Sequence, residues 1–124
     1  MSLLLDTHAF LWWVGGARLD SVASSRIADP DTLVAVSAAS AWEIAIKRST
    51  GKLRFDGDVA AEVTANGFEP LPIGLDHAVR AGALPAHHRD PFDRMLVAQA
   101  QAEGLTLVTR DTRLRDYDVE ILPC

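Results

Sequence analysis

Apolar residues recur along this chain in two rhythms. Short unbroken runs, SLLL at 2–5, TLVAVS at 32–37 and LTLVT at 105–109, have the length and aliphatic character of strands buried on both faces. Between them, apolar positions return every three or four residues and predict helices. These are THAFLWWV, which stops at Gly15 and Gly16; SVASSRIADP, from a serine cap to the residue before Pro30; and AASAWEIAIKRSTGK, closed by Gly51. A further helix is expected over 57–66, ended by Asn66 and Gly67, and another over DHAVRAGAL, stopped by Pro85. FEPLPI reads as a short strand placed at a sheet edge by its prolines, and VEIL as a last short strand. The alternation predicts an α/β fold: right-handed crossovers, a parallel sheet and helices on both of its faces. No linker-like segment divides the chain, so residues 1–124 read as one domain. Ligands of such folds sit at the carboxyl ends of the strands.

One helix breaks its own pattern. In RDPFDRMLVAQAQAEG, Asp90 has the position of an N-cap, Pro91 of the first helical residue and Gly104 of the C-terminal stop. Asp93, the third helical residue, lines up with Leu96, Val97 and Ala100, the stripe that faces the core. It either completes a capping box by reaching back to Asp90 or points into a site. Asp90 itself reads as a plain cap.

Three more acids invite the same question. Asp6 ends the first strand and Asp111 follows the LTLVT strand, so adjacent parallel strands would bring both to one sheet edge. Each is also a natural cap for the helical turn after it. Glu43 borders a stripe marked by Ala39, Trp42 and Ile46, and forms a favourable i, i+4 pair with Lys47. Convergence of these acids would have a definite consequence. Two like charges about 5 Å apart repel by roughly 3 kcal/mol at an effective dielectric near 20. Three such pairs reach on the order of 10 kcal/mol, comparable with the whole stability of a domain. A cluster of this kind must take up protons or a cation, and oxygen donors without histidine or thiolate suit Mg²⁺ or Mn²⁺ rather than zinc. Such a site can activate water against a phosphodiester.

Charge and composition bear on this reading. Seventeen acidic and twelve basic residues leave a net charge of -5, which argues against a general phosphate-backbone binder unless bound cations neutralise the acids. Arg48, Lys52 and Arg54, with Arg89, Arg94 and Arg110 beside the acids, are then candidates to guide a phosphate backbone. The single cysteine, Cys124, allows no internal disulfide, no apolar run is long enough to cross a bilayer, and no leader is evident; the chain reads as cytoplasmic.

DTHAFLWW, SAASAWEIAIKRSTGKL, HHRDPFDRMLVAQAQAEGLTLVTRD and DYDVEIL, in this order, resemble the PIN-domain ribonucleases of the VapC toxin type over nearly the whole chain. The chain differs in segment length around residues 15–32 and 55–70. The resemblance implies a three-layer α/β/α, PIN-like fold with a short parallel sheet. It also implies Asp6 and Asp93 as principal Mg²⁺ ligands, Glu43 and Asp111 completing the acidic set, and Thr109 as a hydroxyl beside it. It further implies cleavage of RNA, commonly tRNA or rRNA, by a metal-activated water, inhibition by a VapB-like antitoxin, and a homodimer or toxin-antitoxin hetero-oligomer with no membrane association.

Other features read more plainly. His87 and His88, adjacent in a loop, should point apart and face solvent or RNA rather than a metal. Trp12 and Trp13, at helical spacing with Phe10, read as core or partner packing rather than a base-stacking platform. Two rivals to a nuclease remain. A receiver-like phospho-acceptor domain would need an acid at the end of a middle strand, where TLVAVS and FEPLPI have none; a phosphatase of the Asp-x-Asp type fails at His8. A catalytically silent binding module with an acidic groove for a basic peptide is the other.

Overall fold

A computed structural model describes residues 1–124. Five strands form one parallel sheet: β1 (Ser2–Leu5), β2 (Leu33–Ser37), β3 (Glu69–Leu71), β4 (Thr106–Thr109) and β5 (Ile121–Pro123), in the order β3-β2-β1-β4-β5. Six helices connect them: α1 (Thr7–Val14), α2 (Ser21–Ala28), α3 (Ala38–Ser49), α4 (Val59–Ala65), α5 (Leu75–Ala83) and α6 (Pro91–Glu103). A 3₁₀ turn spans Thr112–Asp116. The short proline-bearing strands lie at the two edges, where a missing N–H costs no ladder bond.

Alternation along β1 builds two cores. Leu3 and Leu5 face Phe10, Ala23, Ile27 and Val63 from α1, α2 and α4. Leu4 faces Leu96, Val97 and Ala100 of α6 on the other side. Helix α3 contributes to both layers, Ile44 to the first and Ala39 to the second. The arrangement is the expected three-layer α/β/α fold.

Local signals set most boundaries. Asp6, Ser37, Asp58 and Asp90 cap α1, α3, α4 and α6, and Gly104 ends α6 with φ 66, a conformation that only glycine adopts without strain. One cap differs from expectation: α2 is capped by Asp20, whose carboxylate accepts from the Val22 and Ala23 amides, and Ser21 is the first helical residue. The sheet order itself locates a crevice. Successive connections run from β1 towards β2 and β3, and the chain then crosses to β4 on the opposite side, so the carboxyl ends of β1 and β4 flank the switch point.

Candidate active site

Asp6 and Thr109 stand at that switch point. Leu5 pairs with Val108, and the Asp6 amide donates to the Val108 carbonyl at 3.0 Å, so the next residue on each strand emerges at the same edge. The Asp6 carboxylate caps α1 through the Ala9 amide at 2.7 Å, so capping and a place in the pocket are not alternatives. Burial raises the Asp6 pKa; the Thr109 hydroxyl, the Ala9 amide and His8 oppose that shift, and Glu43 adds to it. Thr109 accepts from the Asp111 amide at 3.0 Å, leaving its own hydrogen for a carboxylate.

Asp93 enters from α6. No capping box forms, because the Asp90 amide donates to His88 Nδ1 at 3.0 Å, while the Asp90 carboxylate caps the helix through Phe92. Asp93 is thereby free to face the pocket. Burial first, then the charges of Asp90, Asp6 and Glu43, push its pKa up to about 7, against the pull of His88.

Glu43 departs from its expected place on α3. The inward face is Ala39, Ser40, Glu43 and Ile44, with Glu43 only 3% exposed. Trp42, expected in the buried stripe, is 62% exposed, and Ile46 also reaches solvent. The stripe is rotated by about one residue because the helix runs past the polar strand ends, where hydrogen-bonding groups rather than a large ring must fill the interior. Glu43 accepts from Thr7 Oγ1 at 2.7 Å and from Lys47 at 2.5 Å, so the i, i+4 pair exists with its carboxylate turned inward.

Asp111 lies at the rim. Its carboxylate caps the 3₁₀ turn through the Arg113 amide and receives the Arg113 guanidinium at 3.0 and 2.8 Å, which holds its pKa well below the usual carboxylate range.

Two basic residues have unexpected places. His88 is buried rather than solvent-facing, with Nε2 at 3.0 Å from Asp111 Oδ2 and 3.3 Å from Asp93 Oδ2. Arg94 is no RNA guide: its guanidinium donates to the carbonyls of Ala81, Leu84, Pro85 and His88, pinning the loop before α6 to the helix. Tyr117 closes the same loop, its hydroxyl donating to the Pro85 carbonyl and accepting from the His88 amide. None of these contacts has a periodic signature. His87, by contrast, is exposed and stacks edge-on against Tyr117.

The remaining candidates lie around the rim. Arg110 covers the ring of Trp12 at 3.9 Å and donates to the Arg18 carbonyl, and Arg48 donates to the Gly57 carbonyl. Trp12 and Trp13 pack against the first core, as expected. Away from the acids, an apolar groove of about 760 Å³ runs between α3, α4 and β3, lined by Ala41, Ala45, Val59, Val63 and Leu71 among others.

The donor set is carboxylate and hydroxyl oxygen at strand ends, with Asp6 and Asp93 raised in pKa first by burial and further by neighbouring carboxylates. That chemistry fits a hard divalent cation, which offsets the repulsion and needs no sulfur ligand.

Comparisons with known proteins bear on the family and the fold. The PIN domain family model matches residues 3–120. The chain is 32% identical over 119 residues to Ribonuclease VapC22 of Mycobacterium tuberculosis, covering 94% of this chain and 92% of that protein. Among solved structures, VapBC2 from Rickettsia felis, bound to a DNA fragment from its promoter, superposes with a TM-score of 0.75 at 15% identity, covering 100% of this chain and 99% of the other. The VapBC-5 toxin-antitoxin structure from Mycobacterium tuberculosis gives 0.64 at 23% identity, covering 99% and 98%. These two structural matches speak to the fold.

Proposed function

The chain belongs to the PIN domain family, in its VapC-type branch, and from that premise we propose that it is a divalent-metal-dependent endoribonuclease, the toxin of a toxin-antitoxin pair. The observation that supports this reading is geometric: Asp6 follows β1 beside Thr109 at the end of β4, and the adjacent Thr7 hydroxyl donates to the buried Glu43; the charges of Asp6 and Glu43 in turn add to the rise of the Asp93 pKa. Asp6 and Asp93 would hold the Mg²⁺, or Mn²⁺, with Glu43 and Asp111 completing the set. The cation, when bound, lowers the pKa of water and steadies charge on a phosphodiester.

The protein's own groups do the rest. Thr109 has a hydroxyl hydrogen to give and sits between Asp6 and Asp111, where it orients a carboxylate or water. Thr7 and Lys47 fix both oxygens of Glu43. Arg110, held over the Trp12 ring beside Thr109 and Asp111, offers a fixed positive charge to an RNA phosphate.

A VapB-like antitoxin is the proposed partner. Structural relatives are toxin-antitoxin complexes, and the apolar groove between α3, α4 and β3 supplies a surface for an amphipathic segment. The pair would act in the cytoplasm as a hetero-oligomer or around a toxin homodimer, with residues 1–124 as one PIN unit; no helix is long and apolar enough to cross a membrane.

The test uses antitoxin-free protein with total RNA. Magnesium-dependent, chelator-sensitive cleavage is expected from the unaltered chain, and loss of cleavage without unfolding from Asp6→Asn and Asp93→Asn. Undiminished cutting by both variants would refute the assignment.

A further inference from the structure

We infer that His88 is a positioning residue of the acidic site, a neutral imidazole whose Nε2–H holds Asp93 and Asp111 in place and which never coordinates the cation itself. The inference rests on the metal-dependent reading above. Its basis is the tautomer that the backbone imposes. His88 Nδ1 accepts from the Asp90 amide at 3.0 Å, so that nitrogen must carry a lone pair and the ring hydrogen belongs on Nε2. A proton on both nitrogens would set an N–H against the Asp90 N–H.

The Nε2–H then lies between two carboxylates, 3.0 Å from Asp111 Oδ2 and 3.3 Å from Asp93 Oδ2. The three atoms sit within 4.8 Å of one another, a spacing that would suit a metal, yet only the two oxygens have lone pairs to offer. The hydrogen bond to Asp111, made by an N–H that also stands close to Asp93, offsets part of the repulsion between the two carboxylates and selects one rotamer for Asp111.

The ring cannot drift from this position. His88 is 8% exposed, its amide donates to the Tyr117 hydroxyl at 2.9 Å, and its carbonyl accepts from Arg94. Contacts from α6 and from the segment after β4 thus meet in one imidazole, so the two carboxylates are referenced to each other through it. Hydrogen-bond partners that orient metal-binding groups in this way typically contribute about 10- to 100-fold in metal affinity.

The test measures binding of Mn²⁺ alone by titration calorimetry, and follows the ring nitrogens of His88 by long-range ¹H–¹⁵N NMR during a Mg²⁺ titration. His88→Ala is expected to weaken Mn²⁺ binding by about 10-fold or more. His88→Gln, whose side-chain amide restores an N–H donor, should recover most of it. In the unaltered protein Nε2 should remain protonated at saturating Mg²⁺. Equal Mn²⁺ affinity in unaltered protein and His88→Ala overturns the inference and leaves the nuclease reading intact. Loss of the Nε2 proton on adding Mg²⁺ makes His88 a ligand and overturns it too, whether or not the alanine variant folds. If the unaltered protein binds no Mn²⁺, the metal-dependent reading itself fails.

Discussion

Lys47 donates to Glu43 across one turn of α3 at 2.5 Å, with the ammonium partly exposed and the carboxylate buried. The pair therefore belongs to the surface at one end and to the acidic pocket at the other. Glu43 raises the Lys47 pKa, chiefly through the hydrogen bond and further by its charge, so the ammonium stays charged while the acids are ionised. A resident cation resists the arrival of a second one. Lys47→Gln should tighten Mn²⁺ binding about fivefold, the equivalent of roughly 1 kcal/mol of Coulomb repulsion removed. Calorimetric titration in moderate salt reads this directly. Weaker binding by the variant would mean instead that the hold of Lys47 on Glu43 outweighs its repulsion of the cation.

Arg94 presents a different kind of dependence. Its guanidinium satisfies the carbonyls of Ala81, Leu84, Pro85 and His88, and no other side chain donates to the first three of these except Tyr117 at Pro85. Arg94→Ala leaves acceptors in a partly buried loop without a donor and should cost on the order of 3 kcal/mol in urea unfolding. Arg94→Lys should recover only a minor part, because a single ammonium cannot reproduce the planar fork. Tyr117→Phe, which removes one hydroxyl, should cost about 1 kcal/mol. A loss from Arg94→Ala no larger than that from Tyr117→Phe would contradict the assigned role.

Contacts of this kind, between side chains from separate elements, mark the limit of what the sequence shows. The runs SLLL, TLVAVS and LTLVT announced β1, β2 and β4 because strands buried on both faces must be apolar without interruption. Asp93 was conspicuous because a carboxylate in an apolar stripe demands a reason. Glu43 was ambiguous for a physical cause: its surface pairing with Lys47 and its burial beside Thr7 are simultaneous, and spacing reports only the first. The stripe on α3 was misplaced because a large ring at Trp42 outweighs Ser40 in any hydrophobic pattern, whereas the pocket required the smaller polar group. His88 was illegible, since the burial of a loop residue depends on Arg94 and Tyr117, side chains that come from other elements.

Trp42 provides a direct check on that misplaced stripe. Its ring meets Phe92 edge-on at 5.4 Å between centroids but otherwise faces solvent. Trp42→Ser should therefore cost about 1 kcal/mol or less, the worth of one aromatic contact. A core tryptophan cut back to a small residue would cost about 3 to 5 kcal/mol. Equilibrium denaturation distinguishes the two outcomes clearly, and a loss in the upper range would return Trp42 to the interior.

Asp93 sets the pH dependence of the metal-free protein. Its pKa is about 7 in the fold, raised by burial and by Asp90, Asp6 and Glu43, with His88 as the opposing neighbour. In the unfolded chain an aspartate titrates near 4. Between these values the folded state holds more protons than the unfolded one, so stability must fall as pH rises from about 4 to about 7. Asp6, whose pKa is also raised, contributes in the same direction. Asp111 works oppositely, its depressed pKa adding stability that is lost only under acid conditions. With EDTA present, the melting temperature should decline across this window, and Asp93→Asn should flatten the decline without removing the part due to Asp6. Saturating Mg²⁺ should reverse the trend, because a cation that displaces the Asp93 proton binds better as that proton becomes easier to remove. A metal-free melting temperature that climbs from pH 5 to 7, with no change on Asp93→Asn, would show that the Asp93 carboxylate is not burdened by its neighbours.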